Sequence, residues 1–132
     1  MELVGGLMPK IKETSHQQQF ISWCERHNFY TSHGKYNKEK HYNGIIASIP
    51  NGGKRAAIDM TMLKREGLLA GAVDIFVMLP KGITLWLEFK TEGGRLSDEQ
   101  KAFRDIAIML GHKHYDVWSS FEAVSLVKGW IC

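Results

Sequence analysis

The sequence predicts an α/β sandwich built on a mixed β-sheet, in the order α-β-α-β-β-α-β-α. Three observations carry that expectation. Segments of helical period alternate with short β-branched runs along the 132 residues. Two of those runs, separated only by Pro80-Lys81-Gly82, form an antiparallel hairpin in mid-chain. Ser97-Asp98-Glu99-Gln100 then has the form of a capping box with acids in its first turn, so a helix opens soon after the hairpin.

Taken in order, Glu13 to Phe29 is the first periodic segment. Phe20, Trp23, Cys24 and His27 recur at i, i+3, i+4 and i+7 and mark one face of a helix. Residues 30–43 have no period and read as a loop. Gly44 to Ile49 is apolar and β-branched and ends at Pro50-Asn51-Gly52-Gly53, a strand followed by a turn. A second helix, from about Lys54 to Glu66, sets Ala57, Met60 and Lys64 on one side and stops at Gly67. Gly71 to Leu79 and Ile83 to Lys90 are the two hairpin strands. The helix opened by Ser97 carries Phe103, Ile106, Ala107 and Leu110 on one face and ends at Gly111. A short strand, Tyr115 to Ser119, and a helix from about Ser120 to Lys128 complete the chain. At 132 residues the chain is expected to form a single domain.

Composition narrows the class. Hydrophobic residues make up 44% of the chain, enough for a packed core, and no apolar run approaches the ~20 residues that span a bilayer. The N-terminus lacks a basic start followed by an apolar stretch, so no export signal is expected. With two cysteines, Cys24 and Cys132, there is no disulfide framework, and a reducing, cytoplasmic setting follows. The formal charge of +3 is modest, but its distribution is not. Between Arg26 and Arg55, Arg26, Lys35, Lys38, Lys40, Lys54 and Arg55 face one acid, Glu39, among Phe29, Tyr30, Tyr36 and Tyr42. Basic side chains mixed with aromatics hold phosphates and stack bases, which makes Lys35, Lys38 and Lys40 candidate DNA contacts; a solvated loop is the other reading.

Neither Gly52-Gly53 nor Gly93-Gly94 belongs to a phosphate-loop pattern, so no nucleotide cofactor is expected. Cys24, His27, His33 and His41 have irregular spacing and one thiol among them, a poor match for zinc; core or surface roles suit them better. The hairpin is richer. Strand alternation turns Leu85, Leu87 and Phe89 one way and Trp86, Glu88 and Lys90 the other. A hairpin centred on Lys81 sets Asp74 opposite Glu88, so two carboxylates and a lysine converge on one patch of sheet. Two close carboxylates repel unless a cation lies between them. Hard oxygen ligands with room for water and phosphate suit Mg²⁺ or Mn²⁺, and a neighbouring lysine can orient water or stabilise charge on phosphorus. The competing reading is an exposed hairpin face with an ordinary cross-strand pair.

Beyond this patch, Gly71-Ala72-Val73-Asp74, Glu88-Phe89-Lys90 and Gly94-Arg95-Leu96-Ser97-Asp98-Glu99-Gln100 resemble the core of the VRR-NUC nucleases, a branch of the PD-(D/E)XK superfamily. Glu13-Thr14-Ser15-His16-Gln17 followed by Trp23 is similar to that family's first helix. Ile49 to Arg55, with Leu63 to Gly67, resembles its block before the catalytic strand. One departure is Val73, where the family usually has proline; proline there stiffens the strand entry but supplies no ligand.

The resemblance implies a restriction-endonuclease-like fold and a Mg²⁺- or Mn²⁺-dependent DNA endonuclease with one or two ions per site. It implies Asp74, Glu88, Glu13 and the carbonyl of Phe89 as metal ligands, and Lys90 as the catalytic lysine. Gln17 would orient water or phosphate, and Gln100 either leans toward the site or serves only its local cap. Lys54, Arg55 and Lys64 become candidate phosphate contacts. Stand-alone members resemble junction resolvases acting as homodimers, which implies branched DNA as substrate and a bacterial or phage-infected cell as setting. A nickase or flap-type nuclease with little structural preference, and a non-catalytic DNA-binding module of the same fold, are the alternatives.

Overall fold

The computed structural model describes residues 13–49 and 60–131. Its elements are α1 (Glu13–Arg26), β1 (Phe29–Tyr30), β2 (Gly44–Ser48), α2 (Met60–Arg65), β3 (Ile75–Leu79), β4 (Ile83–Phe89), α3 (Asp98–Met109), β5 (Lys113–Val117) and α4 (Ser120–Ile131). The five strands form one mixed sheet in the order β1-β2-β3-β4-β5. The outer pairs β1/β2 and β4/β5 are parallel, and β2/β3 and β3/β4 are antiparallel. The α/β class and the flanking helices agree with the sequence reading.

The hairpin reverses over Pro80–Gly82, with Lys81 and Gly82 both at positive φ. Its register pairs Ile75 with Leu87 and Phe76 with Trp86, so the hairpin is centred on Lys81 as expected. Alternation then sorts the sheet into two faces. Ile75, Val77, Leu79, Leu85, Leu87, Phe89 and Val117 are buried in the main core. There they meet Phe20 and Cys24 of α1 and Ala123 and Val127 of α4; the Phe20 and Phe89 rings lie 6.0 Å apart. Burial of such side chains contributes about 2 kcal/mol each, and this face supplies most of the fold's stability.

The other face carries Phe76, Trp86, Glu88, His114 and Asp116, and α3 lies over it, with Phe103 5.9 Å from His114. α3 begins with the expected capping box: Ser97 Oγ accepts from Gln100 N, and Gln100 Oε1 accepts from Ser97 N. It closes at Gly111, where His112 N donates to Ala107 O and Gly111 N to Ile108 O, a Schellman ending. Yet α3 buries no residue fully. Ile106 and Leu110 remain 53% and 65% exposed, lining with Leu69, Trp86 and Phe103 a hollow of about 470 Å³. The apolar stripe is real, but its expected core partner is only half present.

Several boundaries differ from the sequence reading. β3 begins at Ile75 and not at Gly71, and β4 ends at Phe89. Phe29–Tyr30 forms a short edge strand, because Phe29 drops into the core while two residues are too few to show a period. His27 lies outside α1 on the surface, its ring stacked on Trp23 and its Nδ1 2.7 Å from Trp23 O, instead of on the buried face. β5 starts and stops two residues earlier than expected, and α4 runs on to Ile131. Of the helix expected from Lys54, only Met60–Arg65 falls among the described residues; its end at Gly67 has the same Schellman pattern, Leu68 N to Leu63 O and Gly67 N to Lys64 O.

Gly71 joins the sheet to α3. Its φ is +84, and a Cβ there would strike the backbone of Glu99 and Gln100 in the first turn of α3. Gly111, at φ +90, faces open space. Gly111→Ala should therefore cost about 1 kcal/mol for its left-handed backbone alone. Gly71→Ala should cost ~2–3 kcal/mol, since strain and collision add. Equal losses in urea unfolding would show that the close approach of α3 is not what Gly71 protects.

Candidate active site

Asp74 immediately precedes β3, one position beyond the Ile75–Leu87 pair, and so faces Glu88 across the hairpin. Its main chain extends the β2 ladder by accepting from Ile49 N at 2.8 Å. Its side chain is turned onto β4, where Oδ2 accepts from Phe89 N at 2.9 Å. Glu88 and Lys90 are 3% and 7% exposed, two charged residues withdrawn into the sheet face; an exposed hairpin surface is thereby ruled out. Lys90 N donates to Val117 O at 2.8 Å, so its backbone is clamped to β5.

Gln100 has both of the roles open to it. While its Oε1 closes the capping box, its Nε2 donates to Glu88 Oε2 at 3.0 Å. The first turn of α3 thus holds one carboxylate oxygen of Glu88 in place. Burial pushes the Asp74 carboxyl above its ordinary value, while the Phe89 N–H, a hydrogen bond with Glu88 and the Lys90 charge pull it back. A hydrogen bond between two carboxyls requires a proton between them, and a cation could take that place. The donor set fits a hard divalent ion: two carboxylates on adjacent strands, with the main chain of Phe89 drawn against one of them. Among the described residues no cluster of three or more His, Cys, Asp or Glu side chains is arranged to hold a metal, so two carboxylates are the described protein share.

The remaining candidates fall in different places. Glu13 opens α1, but its side chain lies outside the described residues, as do Lys54 and Arg55. Gln17 is half-buried one turn before Phe20. The first turns of α1 lie at the end of the sheet where Asp74 and Lys90 sit, since Ser120 N donates to His16 Nδ1 and Ser120 Oγ to Gln19 Oε1 just past the end of β5. Lys64 is exposed on α2. Lys35, Lys38 and Lys40 lie at the opposite end of the sheet, beyond the start of β2.

Asp116 is a carboxylate that sequence reasoning missed. The parallel β4/β5 register pairs it with Glu88, putting it on the same face. Arg104 of α3 approaches it, Nη1 to Oδ2, at 3.9 Å. Asp116 Oδ1 and the neighbouring His114 Nδ1 are buried without a hydrogen-bond partner among the described residues. Burial lowers the His114 pKa, opposed by Asp116 and reinforced by Arg104 and Lys90. The alternation of His114 and Asp116 was visible in the sequence. Their register against β4 was not, because a helical crossover does not determine it.

No curated protein matches the chain. Its structure is similar to two solved structures, a "VRR_NUC domain protein" (TM-score 0.66, 17% identity, 93% of this chain and 90% of the other) and a "VRR_NUC domain" (TM-score 0.56, 17% identity, 89% and 96%). At that identity the likeness establishes the fold, which is consistent with the restriction-endonuclease-like class. The model of the VRR-NUC domain matches residues 11–115, from the start of α1 into β5 and across the whole hairpin site. The chain belongs to the VRR-NUC family of nucleases.

Proposed function

We propose that the chain is a Mg²⁺- or Mn²⁺-dependent DNA endonuclease that hydrolyses phosphodiester bonds, with branched DNA such as a four-way junction as its preferred substrate. The observation that carries this reading is the meeting of half-buried Asp74 with buried Glu88 and Lys90 at one end of the central hairpin, with Gln100 holding Glu88. A DNA-binding surface has no use for withdrawn acids facing phosphates, which argues against the non-catalytic module.

Asp74 and Glu88 would hold the ion, with the Phe89 carbonyl and, from α1, Glu13 as further ligands. The bound ion supplies Lewis-acid polarisation of the phosphate and a more acidic water. Asp74, held by the Phe89 N–H, keeps one carboxylate oxygen oriented as the substrate arrives. Gln100 does the same for Glu88. The Lys90 ammonium donates to the attacking water or to a non-bridging phosphate oxygen, stabilising negative charge as it develops. Gln17 is assigned to orienting that water or the phosphate, and Lys54, Arg55 and Lys64 to holding the strand. As the water oxygen bonds phosphorus, its proton passes to a non-bridging phosphate oxygen and on to solvent, while the P–O bond to the leaving sugar oxygen breaks and that oxygen takes a proton from solvent.

A second copy of the chain is part of the proposal. The exposed stripe of Ile106 and Leu110 beside Leu69 offers an apolar surface for it, and two-fold symmetry suits a junction in which two opposed strands are nicked. Gel filtration with light scattering should give twice the chain mass; a monomer at working concentration would remove the dimer.

Lys90→Ala and Glu88→Gln should each slow cleavage on the order of 10³-fold while the protein still melts cooperatively. Wild-type cutting in either variant would refute the assignment. Comparing four-way junction, flap and plain duplex tests specificity: paired symmetric nicks in the junction support the resolvase reading, and equal cutting of all three replaces it with the nickase or flap-type alternative.

Stability should report the same site. Because the folded Asp74 carboxyl sits above its unfolded value, the native state holds a proton where the unfolded chain has lost it. Ionised Asp74 therefore costs stability, fully so above its folded pKa, and the cost vanishes as pH falls below the unfolded value. In EDTA, Asp74→Asn should melt higher than wild type at pH 8, with the gap closing toward pH 4. A variant less stable across the whole range would contradict the raised carboxyl.

A further inference from the structure

The aromatic loop between β1 and β2 plays no part in the chemistry above, yet it is built. Asn43 ties it down, N to Asn28 O at 2.9 Å and Nδ2 to His27 O at 2.7 Å. Inside it, Asn37 Oδ1 accepts from Glu39 N, and the Tyr42 hydroxyl accepts from Asn37 N at 3.0 Å. The Tyr42 ring meets Tyr30 edge-on at 5.7 Å and stacks on Tyr36 at 6.2 Å with 19° between planes. Tyr36 is the outermost of the three and 71% exposed. Burial cannot account for an aromatic side chain propped up so far into solvent.

Two further features point to what it meets. Beside the rings, His41, Met78 and Pro80 complete a hollow of about 590 Å³, a size that takes a flat aromatic group. Lys40 Nζ lies 5.4 Å from the centre of the Tyr42 ring, Lys35 and Lys38 are exposed on the same loop, and Lys81 is exposed at the hairpin tip. Two acids accompany them: Glu39 in the loop, and Glu25, whose Oε2 pairs with His33 Nδ1 at 2.7 Å. A stacked ring pair on a loop that carries cations is complementary to a base flanked by phosphates. Its placement matters as well. Five strand positions separate Asp74 from Leu79 at the rim of the hollow, about 17 Å along β3.

We propose that this loop is a second DNA-binding site, which stacks an unpaired base of the substrate on Tyr36 and holds the adjoining phosphates with Lys35, Lys38 and Lys40. It rests on the nuclease reading and deepens it by supplying a contact for unpaired DNA next to a branch, at the end of the sheet opposite Asp74 and Glu88. The recognised chemistry is the exposed face of a base together with backbone charge, independent of base identity.

The test is binding without cutting, in Ca²⁺, using the full chain and two probes: a blunt duplex, and the same duplex with a single-stranded tail containing 2-aminopurine. Wild type should prefer the tailed probe and quench its fluorescence. Tyr36→Leu, which keeps apolar bulk at an exposed position, should lose the quenching and bind the tailed probe about tenfold more weakly, with blunt-duplex affinity little changed. Lys35→Ala/Lys38→Ala should weaken binding of the tailed probe and reduce its salt dependence by about two ions. Unaltered quenching and tail preference in Tyr36→Leu, or an unchanged salt slope in the lysine pair, would overturn the site. Failure here is separable from failure of the nuclease reading: a wild type that grips the tail through Tyr36 yet never cuts would leave this site standing and remove the enzyme.

Discussion

The pairing of β3 with β4 determines what this molecule can do. A three-residue turn centred on Lys81 sets the register, and strand alternation does the rest. Ile75, Val77, Leu85, Leu87 and Phe89 go to the core, and Asp74, Trp86 and Glu88 go to the opposite face. A slip of one residue would turn the acids into the core and the leucines outward. Asp74 therefore faces Glu88 because the hydrophobic side of the hairpin tolerates no other arrangement. The acidic face is a by-product of how the core is packed, and it inherits the core's rigidity.

Rigidity alone would not keep charges buried. Removing carboxylates and an ammonium from water is costly unless each finds a partner. The partners come from different elements. The Phe89 amide serves Asp74, Gln100 serves Glu88 from the first turn of α3, and the Lys90 charge is opposed by that of Asp74. Gln100 links helix capping directly to the site, and Gly71 lets α3 come close enough for that link to form. Burial still pushes the Asp74 carboxyl above its ordinary value, so these contacts offset its desolvation only in part.

Sequence reasoning reached the parts governed by local rules. The hairpin register, the alternation of β4, the capping box at Ser97 and the stop at Gly111 follow from period, turn chemistry and caps, and each is found in the structure. What lay beyond reach depends on distant contacts. The offset of β5 against β4 is set by how α3 lies on the sheet, so Asp116 went unnoticed beside Glu88. β1 is too short to have a period. Lys35, Lys38 and Lys40 read as candidate DNA contacts with no place attached; β2 runs from their loop toward Asp74, which puts them at the opposite end of the sheet from the acids. Charge clustering in a sequence gives no direction in space.

The central claim is that Asp74 and Glu88 together form a divalent-cation site, and calorimetric titration of Mn²⁺ into the folded chain tests it most directly. Wild type should bind Mn²⁺, and Asp74→Asn and Glu88→Gln should each lose that binding while retaining a cooperative thermal transition. Equal binding by wild type and both variants would contradict the claim and leave the buried carboxylates without the role assigned to them.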